Sequence, residues 1–142
     1  MKVRVLLVDD EKEFVDALSE RLELRLFEVK TSYSGEDAVD LVRQADVDVV
    51  VLDVLMPGKD GIATLMEIKK VKPLVQVIML TGNATVETAI NGMKQGAYDY
   101  LMKPTETEEL VRKIEGAAKI KREHEERIQQ AEIHNIIKKR GW

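Results

Sequence analysis

The residues able to do chemistry in this chain stand where apolar runs stop. "LLVDDE" closes on Asp9 and Asp10, and "VVVLDVLMPG" sets a lone acid, Asp53, after three valines and a leucine. "VIMLTGN" ends on Thr81 and Gly82, and "DYLMKP" ends on Lys103. Each has a plainer role if taken alone. Asp9 or Asp10 can cap a helix, and Asp53 can serve the turn before Pro57 and Gly58. Thr81 can satisfy strand-end backbone, and Lys103 can be a solvated surface charge. Three carboxylates, a hydroxyl and an ammonium drawn from four separate segments make a specific set only if the fold brings them together.

A converging set would need a cation. Two unit charges about 4 Å apart repel by roughly 1–4 kcal/mol at dielectrics between bulk water and a protein surface. Three gathered acids would therefore raise at least one pKa unless a positive ion neutralised them. Oxygen ligands without His or Cys favour a hard ion such as Mg2+. Asp10 is expected to hold it directly, Asp9 partly through water, and the backbone carbonyl of Leu55 completes the protein's ligands. Asp53, at the end of a rigid strand, is then a carboxylate nucleophile able to form an acyl phosphate. Lys103 offsets phosphoryl charge, and the Thr81 hydroxyl and Gly82 amide donate to the phosphoryl oxygens. Gly82 carries no side chain, which leaves the site open to a donor.

The elements that must position these groups are legible as alternating strand and helix patterns. Val3–Val8, Phe27–Thr31, Val47–Leu52, Val75–Leu80 and Tyr98–Met102 read as strands, the second more polar and nearer an edge. Helical spacing follows each: Phe14, Ala17, Leu18 and Leu22, then Ala38, Leu41, Val42 and Ala45. Ile62, Leu65 and Met66 mark a third helix, and Val86, Ala89, Ile90 and Met93 a fourth. Asp60 is expected to cap the third and Gly96 to end the fourth. From about Thr105 the chain reads as helix almost to its end. Near-continuous apolar strands imply burial on both faces, so the expected fold is an α/β doubly wound five-stranded parallel sheet. Ligands of such sheets bind beyond the carboxyl ends of the strands, where the acids lie.

Composition narrows the functional classes. The 142 residues suit one domain, and apolar runs fall far short of the roughly 20 residues that cross a bilayer. The absence of cysteine excludes a disulfide framework and a thiolate metal site. A net charge of −4 gives no electrostatic case for non-specific nucleic-acid binding. Residues 1–105 hold 13 bases and 18 acids, whereas residues 106–142 hold nine and eight. No stretch reads as a signal peptide, and a cytoplasmic location is expected.

Over about residues 1–120 the sequence strongly resembles the receiver domain of bacterial two-component response regulators. "LLVDDE", "VVLDVLMPGKDG", "VIMLTGN" and "GAYDYLMKP" fall in that family's order and spacing. The resemblance implies a flavodoxin-like sheet with strand order 2-1-3-4-5. It implies that Asp53 accepts phosphate from a sensor histidine kinase or phosphotransfer protein, with Mg2+ on Asp9, Asp10 and Asp53. It implies that Thr81 and Tyr100 form the switch, that Lys103 contacts the phosphate, and that the Lys103–Pro104 bond is cis. Phosphate on Asp53 would draw in the Thr81 hydroxyl, and Tyr100 would turn into the vacated space. The surface of the fourth helix, fifth strand and fifth helix would then change shape and control a downstream protein or a homodimer. Such a chain is no enzyme beyond catalysing its own phosphorylation and dephosphorylation. Leu55 and Asn83 bear on the lifetime of the phosphorylated form. An apolar residue at 55 cannot orient an attacking water, so slow self-dephosphorylation is expected.

Two rival classes weigh against this. A Mg2+-dependent phosphatase with an Asp nucleophile typically carries a second Asp two residues on, where this chain has Leu55. A dinucleotide-binding module would need a glycine-rich loop after the first strand. Residues 121–142 are expected to form a helical extension of the 1–120 domain. Its candidate pairing seam is Leu110, Ile114, Ala117, Lys121, His124, Ile128 and Ala131, weakened by two polar entries. His124 and His134 read as solvated helical residues, and Trp142 as an exposed end. The extension could support a homodimer or dock on a partner. No helix-turn-helix segment is present, so direct DNA binding is not expected.

Overall fold

The computed structural model describes residues 2–54, 60–82 and 85–141. Strands and helices alternate: β1 (Arg4–Val8), α1 (Lys12–Leu24), β2 (Glu28–Ser32), α2 (Gly35–Gln44), β3 (Val49–Leu52), α3 (Gly61–Val71), β4 (Gln76–Thr81), α4 (Val86–Lys94), β5 (Asp99–Met102) and α5 (Thr107–Lys139). The strands form one parallel sheet in the order β2-β1-β3-β4-β5. This is the expected flavodoxin-like arrangement, with the reversal of strand order between β1 and β3.

Side-chain alternation splits the core into two layers. Val5, Leu7, Val49, Val51, Ile78 and Leu80 pack under α1 and α5 against Leu18, Leu22, Leu110 and Ile114. Leu6, Val8, Val50, Leu52, Val77 and Met79 face the other way, onto Ala38, Val42, Leu65 and Ile68. The central strands β3 and β4 are buried throughout and β1 from Val5 on, while the polar β2 lies at the sheet edge. Each fully buried Leu or Ile contributes roughly 1.5–3 kcal/mol relative to exposure.

The starts of α2, α3 and α4 follow the cap chemistry of the sequence. The Ser34 side chain accepts from Asp37 N–H at 3.2 Å. The Asp60 carboxylate accepts from Ala63 N–H at 2.8 Å, as expected. Thr85 and Thr88 make a reciprocal capping box on α4. Gly96 follows the α4 C-cap with φ +103°, a left-handed conformation that glycine adopts without strain.

Not every apolar residue that marks a helix faces the core. Ala17 and Met66 are exposed. On α4 the apolar residues face out: Val86, Ile90 and Met93 are 76 %, 50 % and 46 % exposed. That helix instead approaches the sheet through buried Gly92, where an added Cβ would fall 2.1 Å from Met79 Sδ. The period of the pattern identified the helices, but an apolar stripe does not reveal whether it meets the core or a partner.

Helix α5 runs unbroken for 33 residues. Leu110, Val111, Ile114, Ala117, Ala118 and Lys121 are buried on the domain. The expected pairing seam is therefore overturned in its first half, because Leu110, Ile114, Ala117 and Lys121 are already spent on the core. Lys121 Nζ lies 3.1 Å from Asp48 Oδ1, and Arg4 reaches the same carboxylate at 3.2 and 3.3 Å. Beyond Lys121 the helix leaves the body, and residues 127–141 are exposed. Trp142 lies outside the described residues. No helix among the described residues is long and apolar enough to cross a membrane.

Candidate functional site

Sheet register brings the acids together. Val8 pairs with Leu52, and the Asp53 N–H donates to the Val8 carbonyl at 3.0 Å. Asp9 and Asp53 thus leave adjacent strands at the same level. Carboxylate oxygens of Asp9, Asp10 and Asp53 lie within 4.8 Å of one another. Asp9 and Asp53 are buried, at 3 % and 6 % exposure, and Asp10 is open to solvent. The donor set is all oxygen and carries three negative charges in a small space. It fits a hard divalent ion that keeps part of its water shell.

The cation side of the site comes from β4 and β5. Thr81 is fully buried and pairs with Met102, and the Lys103 N–H donates to the Thr81 carbonyl at 3.0 Å. The Lys103–Pro104 bond is cis. Lys103 Nζ sits 2.6 Å from Asp9 Oδ2, 3.7 Å from Glu11 Oε1 and 4.0 Å from the centre of the Phe14 ring. Burial pulls the Lys103 pKa down, but the hydrogen bond and charge of Asp9, with Asp53 and Glu11 adding, hold it above its ordinary value.

Asp9 does not cap α1. The N-cap of that helix is Glu11, whose side chain makes no capping bond, while Asp9 Oδ1 accepts from the Glu11 N–H at 3.0 Å. Both Asp9 oxygens are thereby engaged. Gly61 fixes the other wall: a Cβ there would lie 2.3 Å from the Asp53 carbonyl oxygen and 2.4 Å from Val54 Cα. Only glycine lets α3 start so close to the Asp53 backbone. Gly82 is exposed, and a Cβ on it would touch Lys103 at 3.8 Å, an ordinary contact.

The structure gathers Asp9, Asp10, Asp53, Thr81, Gly82 and Lys103 at one rim. Tyr100 pairs in register with Met79, so its side chain shares a face with Thr81 two residues along. Tyr100 is half-buried against the α2–α3 layer. Leu55, the expected carbonyl ligand, and Asn83 lie outside the described residues, as do Pro57 and Gly58. Sequence reasoning missed Phe14 and Glu11 as neighbours of Lys103. Phe14 had registered only as a core position of a helix, and no local pattern joins it to a residue at 103.

A doubly wound parallel sheet with an acidic rim and a lysine turned toward it is the arrangement that the resemblance to receiver domains implied. The sequence model of the response regulator receiver domain matches residues 5–115, and the chain belongs to that family. It is thus a receiver domain of two-component systems. Among solved structures, a receiver domain protein from Clostridium thermocellum is 34 % identical, with TM-score 0.81, covering 84 % of this chain and 97 % of its own. A CheY-like receiver domain protein from Methanospirillum hungatei JF-1 is 25 % identical, with TM-score 0.84 and coverages of 87 % and 99 %. A DrrB receiver domain described as BeF3-activated is 34 % identical, with TM-score 0.76 and coverages of 84 % and 99 %.

Proposed function

We propose that this chain accepts a phosphoryl group on Asp53 from a sensor histidine kinase or phosphotransfer protein and passes the signal on through protein contacts. The observation that carries this reading is the meeting of three carboxylates within 4.8 Å beside a lysine held on Asp9. Mg2+ bound by Asp9, Asp10, Asp53 and the Leu55 carbonyl would neutralise charge on the incoming group. An Asp53 carboxylate oxygen attacks phosphorus, the donor's P–N bond breaks, and the leaving imidazole keeps the electron pair and takes up a proton. Lys103 moves from Asp9 to the phosphoryl oxygens, and the Thr81 hydroxyl and Gly82 N–H donate to them. The chain catalyses only its own phosphorylation and dephosphorylation. Leu55, two residues past Asp53, has no polar group with which to orient a hydrolytic water, and the phosphorylated form decays slowly.

Movement of Thr81 frees space on the face it shares with Tyr100, which turns inward. Exposed Val86, Ile90 and Met93, and an open groove of about 540 Å³ between α4 and β5, support the α4–β5–α5 surface as the output. That surface binds a downstream protein or a second copy, and the C-terminal helix offers a second route to a homodimer. Couplings of this kind are worth roughly 1–3 kcal/mol, enough to shift a pre-existing equilibrium. Residues 1–120 form the receiver and 121–142 its helical extension. We place the protein in the cytoplasm, in contact with neither DNA nor membrane.

Acetyl phosphate with Mg2+ tests the reading. A stoichiometric adduct, stable to acid and labile to base, and absent from Asp53→Asn, is expected. An adduct that persists in Asp53→Asn sinks the assignment, and continuous phosphate release marks a phosphatase instead.

A further inference from the structure

The free part of α5 carries an apolar face that the domain does not use. Ile133, Ile136 and Ile137 are 56 %, 52 % and 38 % exposed and lie on one side of the helix. Glu126 stands seven residues before Ile133 and Arg140 seven after, so all three share that side. Gln129 and Gln130 precede Ile133 at the same offsets at which Ile137 and Ile136 follow it. The same side opens into a groove of about 440 Å³ lined by Leu74, Arg122, Glu125, Glu126, Ile128 and Gln129.

We infer that two copies of this chain pair through this face with their helices antiparallel and a two-fold axis at Ile133. The inference rests on the reading of the extension as a dimer surface and adds its orientation and register. Charge decides the direction. In a parallel, in-register pair each residue on the face meets its own copy: Arg122 meets Arg122, Glu126 meets Glu126 and Arg140 meets Arg140. In the antiparallel pair Glu126 meets Arg140 at both ends, while Ile133 meets Ile133 at the centre. Ile136 and Ile137 cover the stems of Gln130 and Gln129. The partner's last turn, with Lys138, Lys139 and Arg140, lands in the groove beside Leu74, Arg122, Glu125 and Glu126, where two carboxylates outweigh the single guanidinium. Length also fits. Arg140 of one copy stops level with Glu126 of the other, more than a turn short of Lys121, where the domain begins. A free helix of this length is marginal in water by itself, and pairing stabilises it.

Because the chain has no cysteine, introduced thiols report alone. Full-length Glu126→Cys and Arg140→Cys proteins are mixed and oxidised. The expected product is a mixed disulfide between the two variants, with little dimer from either alone, since the two Glu126 positions stand about 21 Å apart along the paired helices. Disulfide from Glu126→Cys alone means a parallel pair and overturns the inference. Sedimentation gives the second readout. Ile133→Glu, an exposed change that leaves the fold intact by circular dichroism, should weaken the dimer at least about tenfold. A dimer that withstands Ile133→Glu uses another surface, and wild type that stays monomeric up to about 1 mM forms no such pair. Either result overturns the antiparallel dimer, while phosphate acceptance at Asp53 is judged separately by the acetyl phosphate adduct.

Discussion

Lys103 Nζ and Asp9 Oδ2 are 2.6 Å apart across the rim of the sheet, bridging residues 94 positions distant in the chain. The ammonium therefore occupies an oxygen that a divalent ion in this acidic cluster would also use. Such an ion would compete with the lysine for Asp9, and phosphoryl oxygens would offer the displaced lysine a new partner.

Lys103→Met should separate the two roles. Divalent-ion affinity, read by titration calorimetry, should rise because Asp9 is freed. The rate of adduct formation from acetyl phosphate should fall about a hundredfold with the loss of a charge aimed at the phosphoryl oxygens. Weaker metal binding in the variant would contradict the competition. The folded ammonium holds its proton above its ordinary value of 10.5, so its contribution to stability is intact below that pH and disappears as pH rises through the folded-state value.

At the opposite end of the sheet, Asp48 joins Arg4 to Lys121. Burial pushes its carboxyl up, but hydrogen bonds from Arg4 and Lys121 outweigh this and hold it below its ordinary 3.8. Its stabilisation is complete above that value and is lost as pH falls through the depressed one. Asp48→Ala leaves buried Lys121 with Glu125 as its one ion-pair partner among the described residues, and should cost about 3 kcal/mol in urea unfolding. Asp48→Asn should flatten the acid limb of the stability profile, and an unchanged limb would refute this role.

Two buried glycines should respond differently to Ala. In Gly61→Ala the new methyl meets fixed backbone at Asp53 and Val54, so stability should fall by more than about 3 kcal/mol and the nucleophile should shift. In Gly92→Ala it meets the mobile end of Met79, which can swing, and the cost should stay near 1 kcal/mol. Thermal unfolding and adduct formation, compared in both proteins, would expose an inverted order.

Gly82→Ala adds a methyl in ordinary contact with Lys103 at the open mouth of the site. Folding should be unaffected. Transfer from a phosphohistidine protein should slow by about tenfold while transfer from acetyl phosphate changes little, because only the larger donor needs that space. Equal slowing with both donors would locate the effect in the chemistry instead.

The sheet and its order were legible because hydrophobic runs of strand length, broken by turn residues, carry their own period. The rim followed because parallel strands must end on one side, which forces the acid-bearing termini together. What escaped were facts of approach and long-range pairing. Nothing near Lys121 announces that Asp48 awaits it, and a lysine among Glu and Arg reads as solvated. Val86, Ile90 and Met93 have the spacing of a core stripe, yet Gly92 lets α4 sit so that they face water. Lys103 was expected at the phosphate, and its resting partner Asp9 emerges only once both side chains have positions.

The unbroken run of α5 has a mechanical consequence. With no loop between the part fixed by Leu110, Ile114 and Lys121 and the far tip, rocking at its base is carried outward along the helix once pairing holds it. A tilt of only about 5° would sweep the tip some 2 Å over its free length of roughly 27 Å. A rearrangement of sub-ångström size at the rim would thus reach a distant attachment as a displacement large enough to break or make an interface.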